Sequence, residues 1–419
     1  MDTPLFDPDD LERRRLAKAF GVGAPPVYLR PIRVAGLFAG IGGIELGLQR
    51  SGADTRMLCE WSAPAQATLR ANFPNTPLVG DVQELGTLPE VDVVTAGFPC
   101  TDLSQAGRKA GIDGKASGLV REVFRLISKD RVEMLMLENV RNMLSLDRGA
   151  AMRFLVDQLE SLGYRWAYRL VDSRFTGVPQ RRQRVIFLAS QNVDPTTVLF
   201  ADDAGEPTQN YFRKDAFSFY WTEGRRGLGW AQDATPTLKA GSTIGIPSPP
   251  SIWNPNGEPG SRIVLPSIEE AEALQGFPRG WTAPASDIAG SKGARWRQVG
   301  NAVSVGVSRW VGQRLSNPGE RSPNVRRLND HDRWPSAACG TNGERWAVDV
   351  SLWPTQEPYQ HLSDLVNLSK ATPLSARATT GFYRRTQEST LNFEPNFLSD
   401  VHQHAAHMTQ QAELGAVAQ

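Results

Sequence analysis

Cysteine is scarce in this 419-residue chain: Cys59, Cys100 and Cys339 are the whole complement. They lie far apart with no CxxC spacing, which argues against a disulfide framework and against a zinc site, so no metal is expected and the thiols should be reduced. Long apolar runs are also missing. None approaches the roughly 18 residues a membrane span needs, so no membrane partner is expected. The opening stretch MDTPLFDPDDLERRR mixes acids and bases without an apolar centre, unlike a secretory signal or a basic transit peptide, and a cytoplasmic address is expected. Excess charge of either sign is absent too. Lys and Arg number 46 against 45 Asp and Glu, so the net charge of +1 does not announce a nucleic-acid binder. Neither internal repeats nor low-complexity tracts occur. What remains is an ordinary globular composition, 40% hydrophobic and 22% charged, long enough for two or three domains.

The stretch that organises the chain is GFPCTDLSQAG, residues 97–107, holding Cys100. A short β-branched run, residues 91–96, precedes it and has the character of a buried parallel strand. Phe98-Pro99 ends that strand, because proline cannot extend a central ladder. Cys100 is thereby expected in a rigid loop at a strand's carboxyl end, where open α/β sheets bind ligands. A free cysteine is usually a small buried hydrophobe. The Pro-Cys pair, the polar neighbours Thr101, Ser104, Arg108 and Lys109, and the acid and arginines downstream favour a nucleophile instead.

Around that loop the pattern alternates strand and helix. Residues 32–38 form the first expected strand, running into Ala39-Gly40-Ile41-Gly42-Gly43 and a helix over 44–50. Glycines there permit positive φ and close backbone approach, and a helix start attracts an anion. The second strand, 55–59, ends in Glu60-Trp61, about 20 residues past the glycines, where nucleotide-binding folds place an acid on ribose hydroxyls. Asp81 follows a short strand at 78–79 and could bond an adenine amino group or merely cap its turn. Residues 108–118, rich in glycine and lysine, read as a mobile lid. A helix over 119–128 leads to a buried strand, 132–137, that delivers Glu138-Asn139-Val140. Residues 150–163 make an amphipathic helix, and two more strands, 164–171 and 184–189, flank a loop bearing Arg182. Arg182 and Arg184, at alternate positions, would point the same way on an extended segment and could grip a flat acceptor.

Beyond residue 192 the pattern dissolves into glycine, proline, tryptophan and basic residues, suiting either nucleic-acid contact or an irregular core built on tryptophan. The expected organisation is a leader (1–30), a catalytic domain (31–191), a recognition region (192–261), a return segment (262–316) and a carboxyl-terminal extension (317–419). The return segment holds a helix over 267–274 and another opened by Asn301 as its cap. In the extension, strand-like patches near 346–353 and a basic segment, 377–385, stand out.

In order along residues 32 to about 315 stand FAGIGG (38–43), EW (60–61), GD (80–81), GFPC (97–100), ENV (138–140), QRRQR (180–184), LQGFP (274–278) and GNAV (300–303). In these blocks the chain resembles the cytosine-5 DNA methyltransferases. The resemblance implies an α/β, Rossmann-like class I fold with a small irregular target recognition domain, using S-adenosyl-L-methionine to methylate carbon five of a cytosine flipped out of duplex DNA. It implies that Cys100 is the nucleophile, that Glu138 protonates the base, and that Arg182 and Arg184 hold it. The cofactor would be held by Phe38, Ala39, Gly40, Ile41, Gly43, Glu60, Trp61, Asp81, Val82, Pro99, Asn301 and Ala302. Gly36 departs from the pattern, standing where an acid or serine often precedes the LFAG block, and Thr101 stands where glutamine is common. The extension is similar to those on methyltransferases of phage-defence systems, so a restriction-modification or defence role with cognate partner proteins is expected of a monomeric enzyme. A transfer-RNA methyltransferase on the same scaffold is the alternative. A nicotinamide oxidoreductase would share the glycine turn and ribose acid but needs neither Cys100 nor Glu138.

Overall fold

Short aliphatic runs between glycine turns and amphipathic helices become a layered α/β structure in the computed structural model, which describes residues 8–20, 30–98, 117–241, 248–288, 293–320, 324–329 and 331–417. In chain order the strands are β1 (Arg33–Leu37), β2 (Asp54–Cys59), β3 (Leu78–Val79), β4 (Val93–Ala96), β5 (Met134–Val140), β6 (Arg165–Asp172), β7 (Gln180–Arg181) and β8 (Gln183–Ser190). They continue as β9 (Phe217–Phe219), β10 (Ala231–Gln232), β11 (Thr235–Pro236), β12 (Ser251–Trp253), β13 (Ile263–Leu265), β14 (Val325–Arg327), β15 (Ala337–Thr341), β16 (Glu344–Val348) and β17 (Thr372–Pro373). Two compact units result. The first comprises Met1–Thr176, Gln183–Glu206 and Val303–Gln356; the second comprises Gly177–Arg182, Pro207–Ala302 and Glu357–Gln419.

The first unit is built on a sheet of order β14-β16-β15-β6-β8-β5-β4-β1-β2-β3. Strands β3, β2, β1, β4 and β5 pair in parallel, while β8, β6, β15, β16 and β14 continue it antiparallel. Leu37 pairs with both Cys59 and Ala96, and Ala96 with Leu137, so the carboxyl ends of four strands line up. After β1 the chain moves outward to β2 and β3, then returns to β4 on the other side. The crevice at that reversal of order is where α/β sheets bind ligands. Helix Ala150–Ser161 buries Met152, Leu155, Val156 and Leu159, and helix Ser117–Lys129 buries Val120, Val123, Leu126 and Ile127 in the same core as Leu135, Trp166 and Phe187. Their i, i+3, i+4 spacing turns one stripe of each helix inward.

The residues expected to form an extension of their own are shared between the two units. Hairpin β15–β16 turns at Asn342-Gly343, both with positive φ (51° and 79°), and adds to β6 with Cys339 opposite Ala167. Gly340 has to lack a side chain, since a Cβ there would overlap the Trp166 ring. Arg169, fully buried on β6, ties this edge down: it donates to the carbonyls of Ser351, Leu199 and Asp202 and pairs with Asp203 at 3.0 Å. Burial lowers its pKa to about 10 against the opposing pull of Asp203 and Asp202.

The second unit carries the sheet β10-β9-β12-β13-β17, with β11 pairing β7 beside it. Its core is aromatic. Phe217 stacks near Trp253 (5.1 Å between centroids), and Phe219 meets Phe382 (4.9 Å) and Phe397 (5.0 Å). Of the two uses open to the tryptophans, Trp253 at least is core, and helices Ala376–Gln387 and Phe397–Val417 complete it. The helix expected around Asn301 is two helices, Ala294–Asn301 in the second unit and Val305–Ser316 in the first. Asn301 ends one helix instead of capping the next. Side chains take the carbonyls that would carry the helix onward: Gln275 Nε2 donates to Val299, and Arg182 to Gly300 and Ala302.

Candidate active site at the strand ends

At the carboxyl end of β1 the chain turns through Phe38, Gly40 and Gly42, all at positive φ (53°, 57° and 80°). The loop is held by its own backbone: Ala39 N donates to Cys59 O, and Gly42 N to Ala39 O. Gly42 begins helix Gly43–Gln49, and a Cβ on it would strike the Phe73 ring at 2.5 Å. Gly40 faces open space. Ile41 and Gly43 are buried, so the loop presents mainly backbone toward a ligand.

Across from it, Glu60 at the end of β2 accepts Gly40 N at 2.8 Å and Ser62 N at 2.9 Å. Burial raises its pKa, and those N–H groups pull the other way. The neighbouring Trp61 is 83% exposed, an unusual state for so large an apolar ring. Asp81 does cap its turn, accepting Gln83 N at 2.9 Å, with Val82 buried beside it. An oriented carboxylate, an open flat ring and a glycine loop with room above it fit an adenosine-bearing ligand.

At the ends of β4 and β5 the second group assembles. Glu138, 7% exposed, stands with Oε2 3.8 Å from where a Gly97 Cβ would lie, at the start of the segment leading to Cys100. Asn139 Nδ2 donates to Phe98 O (3.3 Å), fastening the ENV block to the GFP block. Arg184 Nε lies 2.7 Å from Glu138 Oε1 in a nearly buried ion pair. On the antiparallel β5–β8 ladder Glu138 faces Ile186, so Arg184 is its diagonal neighbour on the same face. Burial lowers the Arg184 pKa, opposed by Glu138. Pro99, Cys100 and the expected lid up to residue 116 lie outside the described residues.

Arg182 and Arg184 do different things. Arg182, 1% exposed, belongs to the second unit and gives its guanidinium to the carbonyls of Leu238 (3.2 Å), Gly300 (3.3 Å) and Ala302 (2.6 Å). It thereby holds the backbone at Asn301 and Ala302. Two features escaped the sequence. Asn139 stands out in the sequence only as the middle of the ENV block, and no motif marks Glu45. Glu45 is 1% exposed in the first turn of helix Gly43–Gln49, where Thr95 Oγ1 donates to Oε1 at 2.7 Å and no donor among the described residues reaches Oε2. A Cβ on Gly36 would overlap this carboxylate, so an acid occupies the space opposite residue 36 from the helix rather than from β1. The signal was a glycine in a buried strand.

The sequence model for C-5 cytosine-specific DNA methylases matches residues 32–217. Type II methyltransferase M2.BsuMI of Bacillus subtilis (strain 168) is 45% identical over 382 residues, covering 88% of this chain and 97% of its own length. The chain belongs to the C-5 cytosine-specific DNA methylase family. Type II methyltransferase M.Bsp6I of Bacillus sp. (strain RFL6) is 28% identical over 318 residues, covering 68% and 98% of the two chains. Among solved structures, the S. pombe Dnmt2 methyltransferase overlays this methylase with a TM-score of 0.50 at 16% identity, covering 67% of it and 97% of the other chain. The similarity to M2.BsuMI extends over most of the methylase, well past residue 217 where the family model ends.

Proposed function

We propose that the chain transfers a methyl group from S-adenosyl-L-methionine to carbon five of a cytosine flipped out of duplex DNA, through a covalent bond from Cys100. One observation carries the proposal: Glu138, paired with Arg184 at 2.7 Å, has Oε2 3.8 Å from where a Cβ on Gly97 would lie, and Gly97 is three residues before Cys100. Carbon five of cytosine is a poor nucleophile. Addition of the Cys100 thiolate to carbon six turns the ring into an enamine, while Glu138 holds a proton at the ring nitrogen and Arg184 keeps the carboxyl oriented and balances its charge. S-adenosyl-L-methionine, when bound, supplies an electrophilic methyl group on a sulfonium. Loss of the carbon-five proton then expels Cys100 and restores the ring.

Residues 38–43, with Glu60, Trp61, Asp81, Val82 and Pro99, would hold the cofactor: Trp61 against the adenine face, Glu60 at the ribose. Arg182 acts at a remove, bracing the backbone of Asn301 and Ala302, the remaining cofactor candidates. The target base is out of reach inside a duplex, so it has to be flipped, at a few kcal/mol of unstacking. Identity to M2.BsuMI supports DNA over transfer RNA and a restriction-modification setting in which the product marks self DNA. A cytoplasmic, monomeric enzyme with cognate restriction or defence partners fits that setting, as does a catalytic domain followed by a recognition region. Among the described residues no helix is long and apolar enough to cross a membrane. The test is bisulfite sequencing of duplex DNA incubated with the purified chain and cofactor. Protected cytosines in one sequence context support the proposal; uniformly converted DNA, with methylated RNA instead, overturns it.

A further inference from the structure

We propose that the exposed face of helix Ala376–Gln387 grips the phosphate backbone of the substrate duplex, extending the recognition surface into the carboxyl-terminal part of the chain. The proposal rests on the activity set out above. This helix carries Arg377, Arg384 and Arg385 and no acidic residue. Thr379, Phe382 and Thr386 turn inward and are buried, while Arg377, Thr380, Arg384 and Gln387 share the opposite, exposed face. Arg385, at the flank, is spent on structure: it donates to Trp221 O at 2.6 Å and Glu223 O at 3.0 Å.

Those bonds fix the helix to the turn at residues 221–227 within the same unit. Gly224 packs on Phe382 and Arg385, and Ser389 Oγ donates to Arg225 O. Arg225 is matched by Glu388 at 2.7 Å. Arg226, Arg377 and Arg384 are exposed and make no hydrogen bond or ion pair with another of the described residues. Unmatched guanidinium groups on a helix without carboxylates, in a chain of net charge +1, form a local positive strip rather than part of a general excess. Arg377 and Arg384 are seven residues apart, about 10 Å along the helix axis. With the helix laid along the duplex axis that equals about three base-pair rises of roughly 3.4 Å, so the two side chains can reach different phosphates, and the planar guanidinium fork suits phosphate oxygens. Thr380 between them is small enough to allow close approach and offers a hydroxyl donor.

The experiment compares the full-length chain with its Arg377→Gln/Arg384→Gln variant in fluorescence-anisotropy titrations of a labelled duplex across a salt series. Each phosphate contact contributes about 0.9 to the slope of log affinity against log salt, so the variant's slope should be shallower by ~1.8. Affinity should fall equally for target-bearing and unrelated duplexes, and the Arg377→Lys/Arg384→Lys variant should restore the slope. An unchanged slope, or a loss confined to one sequence, overturns the proposal. A parent chain that methylates duplex DNA while the variant's slope is unchanged sinks this proposal alone. A parent chain that binds no duplex sinks the proposed activity with it.

Discussion

Replacing Glu45 by Gln should flatten the pH dependence of stability. Burial raises the Glu45 pKa from the ordinary 4.5 to about 7, with the Thr95 hydroxyl and a backbone N–H opposing. Between those two pH values the folded chain keeps a proton that the unfolded chain has released, so stability falls as pH rises through the window. Below about 4.5 the cost is absent; above about 7 it is complete, because the carboxylate is then ionised with no donor to Oε2 among the described residues. At about 1.4 kcal/mol for each pKa step, the loss across the window amounts to roughly 3 kcal/mol. In the variant, the amide oxygen keeps the Thr95 hydroxyl, and its NH2 group takes the place of Oε2 without an acceptor. That costs about 1–3 kcal/mol, but equally at every pH. Urea unfolding followed by circular dichroism from pH 4.5 to 7.5 reads the comparison. The difference between variant and parent should move by about 3 kcal/mol in the variant's favour as pH rises. Parallel stability curves would refute the reasoning and show Glu45 to be solvated.

Trp61→Ala should weaken cofactor affinity at least tenfold by calorimetry while leaving the melting temperature within a degree or two, since the ring covers almost nothing. An unchanged affinity would remove Trp61 from the cofactor site. Glu138→Gln should cut turnover by about 100-fold or more with little change in cofactor affinity; equal loss in both would mean a structural role next to Arg184. Phe397→Ala should destabilise the second unit by about 3–5 kcal/mol in denaturant titrations, because that ring touches Phe219, Trp253 and Trp230 in the aromatic core. A cost under about 1 kcal/mol would mean that residues 357–417 pack independently of it.

The parallel half of the main sheet was legible because each strand is a short aliphatic run that ends at a glycine or an acid. Strands β1, β2 and β4 lie within a residue or two of where the pattern puts them, while β5 runs three residues further, to Val140, and so takes Glu138 into the strand itself. The carboxyl-terminal part was less so. Its hairpin carried the strongest short-range signal for one, Asn342-Gly343, but β15 reads Ala-Ala-Cys-Gly-Thr, without the β-branched run that marks a strand. The glycine in it is explained by Trp166 on β6, whose ring fills the space beside Gly340. The break after Asn301 was hidden for a similar reason. The groups that end that helix, Gln275 and Arg182, lie far off in sequence. Arg182 and Arg184 show the limit of spacing arguments: alternate positions predict a shared face, while partners from different units decide what each guanidinium holds.

The central claim is a transient bond from Cys100 to the target base. Duplex DNA carrying 5-fluorocytosine tests it directly, because fluorine, unlike a proton, cannot be lost from carbon five, and the elimination that frees the sulfur is blocked. The account predicts a complex stable to denaturant that forms only with S-adenosyl-L-methionine present, with the DNA mapped by mass spectrometry to the peptide holding Cys100. Methylation of ordinary duplex by the Cys100→Ser variant, or the absence of any trapped complex from a chain that methylates normally, would contradict it.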